Sequence, residues 1–192
     1  RYRVLPAQRF SGDLVLAACA PDGRLFAMLA DATGHGLGAA VSVLPAVAEF
    51  YRMVASGSDL TELVLSLNRT LLESLPLGRF VAAALACLGP DGASVWVGGI
   101  PDVLHLGAHG ELLGRQSSTH LPLGIDALTP SEVGIRQIAL AEGEALMLFS
   151  DGLLEAGSES GEALGYQGLL EALSAQPREG ALAAIDEAVA RQ

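Results

Sequence analysis

The sequence predicts an α+β fold, antiparallel strands covered by helices, and three observations carry that expectation. Apolar runs flank two turns, Pro21-Asp22-Gly23 and Gly89-Pro90-Asp91-Gly92, as β-hairpins require. Between these turns lies a long stretch with helical spacing, and two further helical segments close the chain near residues 166–174 and 179–191. Tight turns between consecutive strands make the sheets antiparallel.

Residues 13–20 read as the first strand. Proline sets φ at the following turn, glycine supplies φ > 0, and residues 25–30 run back antiparallel. Counting outward from Asp22-Gly23 brings Asp13 and Asp31 to the open end of this hairpin as near neighbours. Asp31 opens the run Asp31-Ala32-Thr33-Gly34-His35-Gly36-Leu37-Gly38, a glycine-rich turn before an apolar segment. Residues 35–56 are expected to be helical, with Pro45 forcing a kink or two short helices. Leu60, Leu63, Val64, Leu67, Leu71 and Leu75 mark a clearer helix, Asp59 and Glu62 resemble a capping box, and Leu75-Pro76-Leu77-Gly78 ends it. Strands resume at residues 80–88, 94–97 and 103–106, the last turning at Gly107-Ala108-His109-Gly110. Residues 114–134 read as loop around an apolar island, Leu121-Pro122-Leu123-Gly124. Residues 135–140 and 145–149 are expected to pair around Ala141-Glu142-Gly143-Glu144. With no repeat, low-complexity tract or internal boundary, residues 1–192 read as a single domain. The start lacks methionine and begins mid-pattern, so the domain is expected to come from a longer signalling protein.

Hydrophobic residues make up 51% and charged residues 17%, enough for a sizeable core, while aromatics at 5% leave that core to Ala, Leu and Val. No uninterrupted apolar run approaches the roughly 20 residues of a bilayer span, and no signal segment opens the chain, so a cytoplasmic location is expected. A net charge of −11 disfavours nucleic acid and anionic membrane surfaces as partners. All 11 basic residues are arginine, which excludes lysine Schiff bases and a P-loop lysine. Cys19 and Cys87 sit in apolar runs without metal or redox spacing and read as buried, reduced thiols.

The chemistry concentrates in three aspartates. Asp151 follows Leu146-Met147-Leu148-Phe149-Ser150 and precedes Gly152, repeating the pattern of Asp13 and Asp31: an apolar strand bearing a carboxylate at its tip. One aspartate before a glycine is ordinarily a turn residue or helix cap. Three that converge are different, because two unit charges about 4 Å apart repel by roughly 4 kcal/mol at an effective dielectric near 20. A divalent cation compensates such a cluster, and oxygen-only ligands favour Mg2+ or Mn2+. His105, His109 and His120 show no ligand spacing, and Trp96 reads as core. His35 reads as a helix-start residue near the turn, and Arg9 as a solvated arginine.

Ser11-Gly12-Asp13, Asp31-Ala32-Thr33-Gly34-His35-Gly36, Leu121-Pro122-Leu123-Gly124, Phe149-Ser150-Asp151-Gly152 and Gly161-Glu162-Ala163-Leu164-Gly165 occur in an order and spacing similar to the metal-dependent protein phosphatases of the protein phosphatase 2C class. The resemblance is to their bacterial SpoIIE-like or RsbU-like branch and runs from Leu5 to about residue 175. It implies an αββα sandwich of two antiparallel sheets flanked by helices, with two Mg2+ or Mn2+ ions. By motif, Asp31 would bridge the ions, Asp151 would ligate one, the Ala32 carbonyl the other, and Asp13 the second ion or its water. Asp31 and Asp151 are thus the implied catalytic positions, and a metal-activated water would attack phosphorus in line without a phosphoenzyme. The implied substrate is phosphoserine or phosphothreonine on a protein, typically an anti-sigma-factor antagonist. An upstream receiver or sensor domain would suit the pattern, and a homodimer is open.

Three departures stand out. The family ends on an Asp-Asp pair before a last strand, whereas this chain ends at Arg191-Gln192, and Asp186 falls in a helical pattern. The expectation is that the final strand is missing. Gly98-Gly99-Ile100-Pro101 lacks the histidine usual before that proline, and Ser11 stands where glycine is usual. The alternative reading is therefore a catalytically degenerate domain of the same fold that serves as a protein-binding adaptor.

Overall fold

The computed structural model describes residues 2–3, 12–34, 36–156, 163–174 and 181–191. In chain order the elements are β1 (Leu14–Cys19), β2 (Leu25–Ala32), α1 (Gly36–Ser42), α2 (Leu44–Ala55), α3 (Leu60–Ser74), β3 (Val81–Gly89) and β4 (Gly92–Gly98). They continue with β5 (Val103–Leu106), β6 (Leu112–Gln116), β7 (Arg136–Ile138), β8 (Ala145–Met147), α4 (Asp151–Glu155), α5 (Gly165–Ser174) and α6 (Ala181–Arg191). They sort into two compact units. The larger comprises Val4–Ile100 and Ser117–Leu140; the smaller comprises Arg1–Arg3, Pro101–Gln116 and Ala141–Gln192.

The larger unit is built on a five-stranded antiparallel sheet in the order β1-β2-β3-β4-β7. Turn chemistry closes the first hairpin: Ala20 N donates to Arg24 O at 2.8 Å, and Gly23 adopts φ +88°. Alternation along β2 buries Phe26, Met28, Ala30 and Ala32 on one face. These pack with Leu16, Val81, Leu85 and Trp96 of neighbouring strands and with Phe50, Leu63, Leu67 and Leu71 of the helices. Burial of one such leucine contributes about 1.5–3 kcal/mol.

The helices follow the sequence pattern. Glu62 N donates to Asp59 Oδ1 at 2.8 Å and Asp59 N to Glu62 Oε2 at 3.0 Å, a complete capping box at the start of α3. Pro45 sits in the first turn of α2, where its missing N–H leaves no helical bond unmade, and the chain breaks at Val43 into two helices. Taken as one stretch, Gly36–Ala55 spans 20 residues, long and apolar enough to cross a membrane by length and composition. Its stripe of Ala39, Val43, Ala46, Phe50 and Val54 is instead buried in the unit's own core.

The smaller unit carries a three-stranded antiparallel sheet, β6-β5-β8, with α4, α5 and α6. Leu104, Leu106, Phe149, Leu164, Leu169, Leu173 and Ile185 form its core.

Several local expectations are corrected. Residues 135–149 do not form a hairpin: β7 pairs with β4 through Ala93↔Ile138, and β8 pairs with β5 through Leu104↔Met147. The turn itself exists, with Glu144 N donating to Ala141 O at 3.1 Å and Ala141 N to the Glu144 carboxylate at 2.9 Å. Strands of three residues have too few bonds to hold each other, so longer partners claim them. The stretch expected as loop from residue 114 contains the end of β6, an edge strand whose exposed Leu112 and Leu113 break the usual alternation. The strand before Asp151 stops at Met147, so Asp151 is not a strand tip; it opens α4. Cys87 is buried as expected, but Cys19, on the edge strand β1, is exposed.

Candidate active site

The register of the first hairpin decides where Asp13 and Asp31 stand. Leu14 pairs with Ala30, and Ala32 N donates to Gly12 O at 3.3 Å. Asp13 and Asp31 therefore occupy opposed positions between those two pairs. Opposed residues of an antiparallel pair share a face with Cβ atoms about 4.5–5.5 Å apart. Since Phe26, Met28, Ala30 and Ala32 face the helices, both carboxylates stand on the other face of the sheet. Asp31 is half-buried, and its strand is paired on both sides, through Asp31↔Ala82 on β3 and through β1 on the other.

The backbone beside Asp31 is equally determined. Thr33 N donates to Phe80 O at 3.0 Å, which aims that peptide's N–H at β3. The Ala32 carbonyl, in the same planar peptide, points the opposite way, toward β1. Gly12 receives it there: a Cβ at position 12 would lie 2.8 Å from Ala32 O. Glycine before Asp13 is thus what lets the two strands close around this carbonyl. Two carboxylates and one carbonyl on adjacent strands form an all-oxygen donor set, which fits a hard divalent cation. A cation held between the two strands would offset the repulsion that like charges at opposed positions carry.

The turn after Ala32 has its own fastenings. Gly34 adopts φ +94° and Gly36 φ +74°, conformations that side chains disfavour. Phe80 N donates to Thr33 Oγ1 at 3.1 Å, and Arg79 Nη1 donates to Thr33 O at 2.6 Å. Arg79 went unnoticed in the sequence. The only signal for it is its place immediately before Phe80, and it matters only once β3 is known to pair with β2.

Asp151 is described within the smaller unit. It is exposed and begins the five-residue α4; Ser150 precedes it in extended conformation, and Leu153 N donates to Ser150 O at 3.1 Å. Asp186 lies in α6, 3.1 Å from Arg3 Nε as an ion pair. The structure thus brings together Asp13, Asp31 and Ala32, and no group of three His, Cys, Asp or Glu side chains gathers among the described residues. Ser11, Arg9, His35 and the Gly161-Glu162 part of the last motif lie outside the described residues.

The remaining motif and the histidines have structural partners. Leu123 of the Leu-Pro-Leu-Gly island is buried and exchanges two backbone bonds with Val81, at 2.9 and 2.8 Å. Buried Asn68 clasps the same island, accepting from Gly124 N at 2.9 Å and donating to Asp126 O at 2.8 Å. His120 stacks on Trp96 with centroids 5.4 Å apart, and its Nδ1 donates to Val97 O. His105 Nε2 lies 2.8 Å from the Glu144 carboxylate, which the Ala141 N–H and, second to it, this contact hold below its usual value.

Known proteins agree with this arrangement at the level of fold and family. The family model described as Stage II sporulation protein E (SpoIIE) matches residues 21–192. No curated protein sequence matches the chain. Among solved structures, the RsbU and RsbW domains of Rv1364c from Mycobacterium tuberculosis superpose with a TM-score of 0.79 at 21% identity, covering 97% of this chain and 52% of that one. This chain therefore spans about half the length of that structure. The SiaA-PP2C domain of Pseudomonas aeruginosa also gives 0.79 at 21% identity, over 97% of this chain and 75% of that one. The catalytic domain of the serine/threonine protein phosphatase PstP, in complex with two manganese ions, gives 0.66 at 18% identity, over 98% of this chain and 87% of that one. With its two antiparallel sheets, its helices and this match along most of its length, the chain belongs to the SpoIIE family and has the fold of the PP2C-type phosphatases.

Proposed function

We propose that this chain is a metal-dependent serine/threonine phosphoprotein phosphatase domain. One observation carries the reading: in a SpoIIE-family chain, Asp13 and Asp31 stand opposed on adjacent strands, next to an Ala32 carbonyl that points toward β1. The donor set suits Mg2+ or Mn2+, and the two manganese ions of the PstP domain support a two-ion site. In this reading Asp31 would hold both ions, the Ala32 carbonyl and Asp13 would complete the set from their strands, and Asp151 would be a ligand assigned by its Ser-Asp-Gly motif alone. When bound, such ions acidify water and neutralise the charge of a phosphoryl group, which suits hydrolysis by in-line displacement. The chain's own part is to hold its oxygens in fixed directions, through the β1–β2–β3 ladder on one side of Ala32 and the glycine turn on the other.

The proposed substrate is a phosphoserine or phosphothreonine protein of the anti-sigma-antagonist kind; the pairing of RsbU and RsbW domains in one similar structure supports a regulatory partner in bacterial signalling. An upstream receiver or sensor domain, a homodimeric state and a cytoplasmic location belong to the same proposal. The net charge of −11 supports the expectation that neither nucleic acid nor an anionic membrane is a partner. A second reading, a non-catalytic adaptor, is favoured by the engagement of Asp186 with Arg3 and by the missing histidine at Gly98-Gly99-Ile100-Pro101.

Hydrolysis of a small phosphomonoester and of a phosphoserine peptide, measured with Mn2+, separates the two. The phosphatase reading expects turnover that Asp31→Asn and Asp151→Asn each lower by more than about a hundredfold, beyond the usual effect of residues one layer removed from a metal. Equal activity in both variants would contradict it, and failure to take up Mn2+ at millimolar concentration would leave the adaptor.

A further inference from the structure

Arg79 is not part of the donor set, yet it is bound to the turn that follows it. The segment from Pro76 to Phe80 follows α3 and delivers Arg79 to the strand end where β2 and β3 part. There its Nη1 donates to Thr33 O at 2.6 Å. The guanidinium also lies against Gly34: a Cβ at that position would come 2.7 Å from Nη1 and 3.6 Å from Cζ. Gly34 is required by its φ of +94°, and its missing side chain leaves the space the guanidinium fills.

Next to this contact, Thr33 is tied to Phe80 by three more bonds. Thr33 N donates to Phe80 O at 3.0 Å, Phe80 N donates to Thr33 Oγ1 at 3.1 Å, and Thr33 Oγ1 donates to Phe80 O at 3.2 Å. These bonds act on two successive peptide groups. The first, between Ala32 and Thr33, sets the direction of the Ala32 carbonyl. The second, between Thr33 and Gly34, is the one Arg79 holds. Without it, the Thr33 carbonyl is a free turn carbonyl followed by glycine, the residue least able to restrain it. A charge-assisted bond is stronger than a neutral one, and Arg79 makes one with a turn carbonyl directly after the strand that bears Asp31.

We propose that Arg79 is a positioning residue for the metal-binding turn. Its guanidinium locks the Thr33–Gly34 peptide, so that the turn following the Ala32 carbonyl is fixed before a cation arrives. The proposal rests on the phosphatase reading for its consequence, the affinity for metal, while the clamp itself is a property of the turn.

The test compares the unaltered chain with Arg79→Ala and Arg79→Lys by Mn2+ titration calorimetry, phosphomonoester kinetics at saturating Mn2+, and peptide-level hydrogen exchange across residues 31–38. Arg79→Ala is expected to weaken Mn2+ binding about tenfold to a hundredfold. It should speed exchange across the turn, lower kcat and leave KM within about twofold, while global melting stays unchanged; Arg79→Lys, which keeps a cationic donor, should recover part of the Mn2+ affinity. Wild-type Mn2+ affinity and exchange in Arg79→Ala would overturn the proposal. A raised KM at unchanged Mn2+ affinity would also overturn it, since the guanidinium would then meet substrate instead. If the unaltered chain neither binds Mn2+ nor hydrolyses the ester, the phosphatase reading fails. Exchange then decides the clamp: faster exchange in Arg79→Ala supports it, and unchanged exchange overturns it.

Discussion

Asp31 and Asp151 look alike in the sequence, each closing an apolar run ahead of a glycine-containing turn, and the structure treats them differently. Asp31 lies inside an eight-residue strand with partners on both sides, Leu14↔Ala30 toward β1 and Asp31↔Ala82 toward β3. Asp151 begins a five-residue helix after a three-residue strand, and Leu153 N donates to Ser150 O at its turn. The lesson is about preorganisation. A carboxylate within a ladder has its direction set by many backbone bonds formed for other reasons, whereas one on a short helix depends on its own turn.

Perturbations of the larger unit sharpen that contrast. Leu67 is fully buried beneath the sheet, so Leu67→Ala is expected to cost about 2–5 kcal/mol, read as a lowered urea midpoint. A smaller change at the strands themselves is more telling. Gly12→Ala forces a Cβ to 2.8 Å from Ala32 O and is expected to cost about 1–3 kcal/mol while loosening Mn2+ binding; a change of the same size that left Mn2+ binding intact would separate the strand packing from the site.

Acid provides the next step. The Arg52 guanidinium, with help from the Ser66 hydroxyl, lowers the Glu49 carboxyl to about 2. A folded value below the unfolded one means this stabilisation is complete above about pH 4.5 and fades as pH falls toward 2. Between pH 5 and 3 the chain should lose about 1–2 kcal/mol that Glu49→Gln does not lose, checked by urea unfolding at both values. The smallest effect is the cap of α3: Asp59→Ala should cost about 1 kcal/mol in melting experiments without touching Mn2+ affinity.

What could be read in the sequence follows from how local each determinant is. The opposition of Asp13 and Asp31 was available by counting, because Pro21-Asp22-Gly23 sets the register of a hairpin whose strands are adjacent in the chain. The capping box, the Pro45 break and the leucine stripe of α3 are likewise local. The pairing of β2 with β3 spans three helices and the turns between them, so the clamp from Phe80 and Arg79 had no local signature. The same cause misassigned residues 135–149, where a genuine turn joins strands that belong to different sheets. Edge position, also a property of the whole sheet, is why Cys19 is exposed while Cys87, on a central strand, is buried.

The opposed pair is most directly tested by counting ions. Mn2+ titration of the unaltered chain, Asp13→Asn and Asp31→Asn should show binding weakened in the first variant and lost in the second. Binding in Asp31→Asn equal to that of the unaltered chain would contradict the assignment of Asp31 as the ligand around which the site is built.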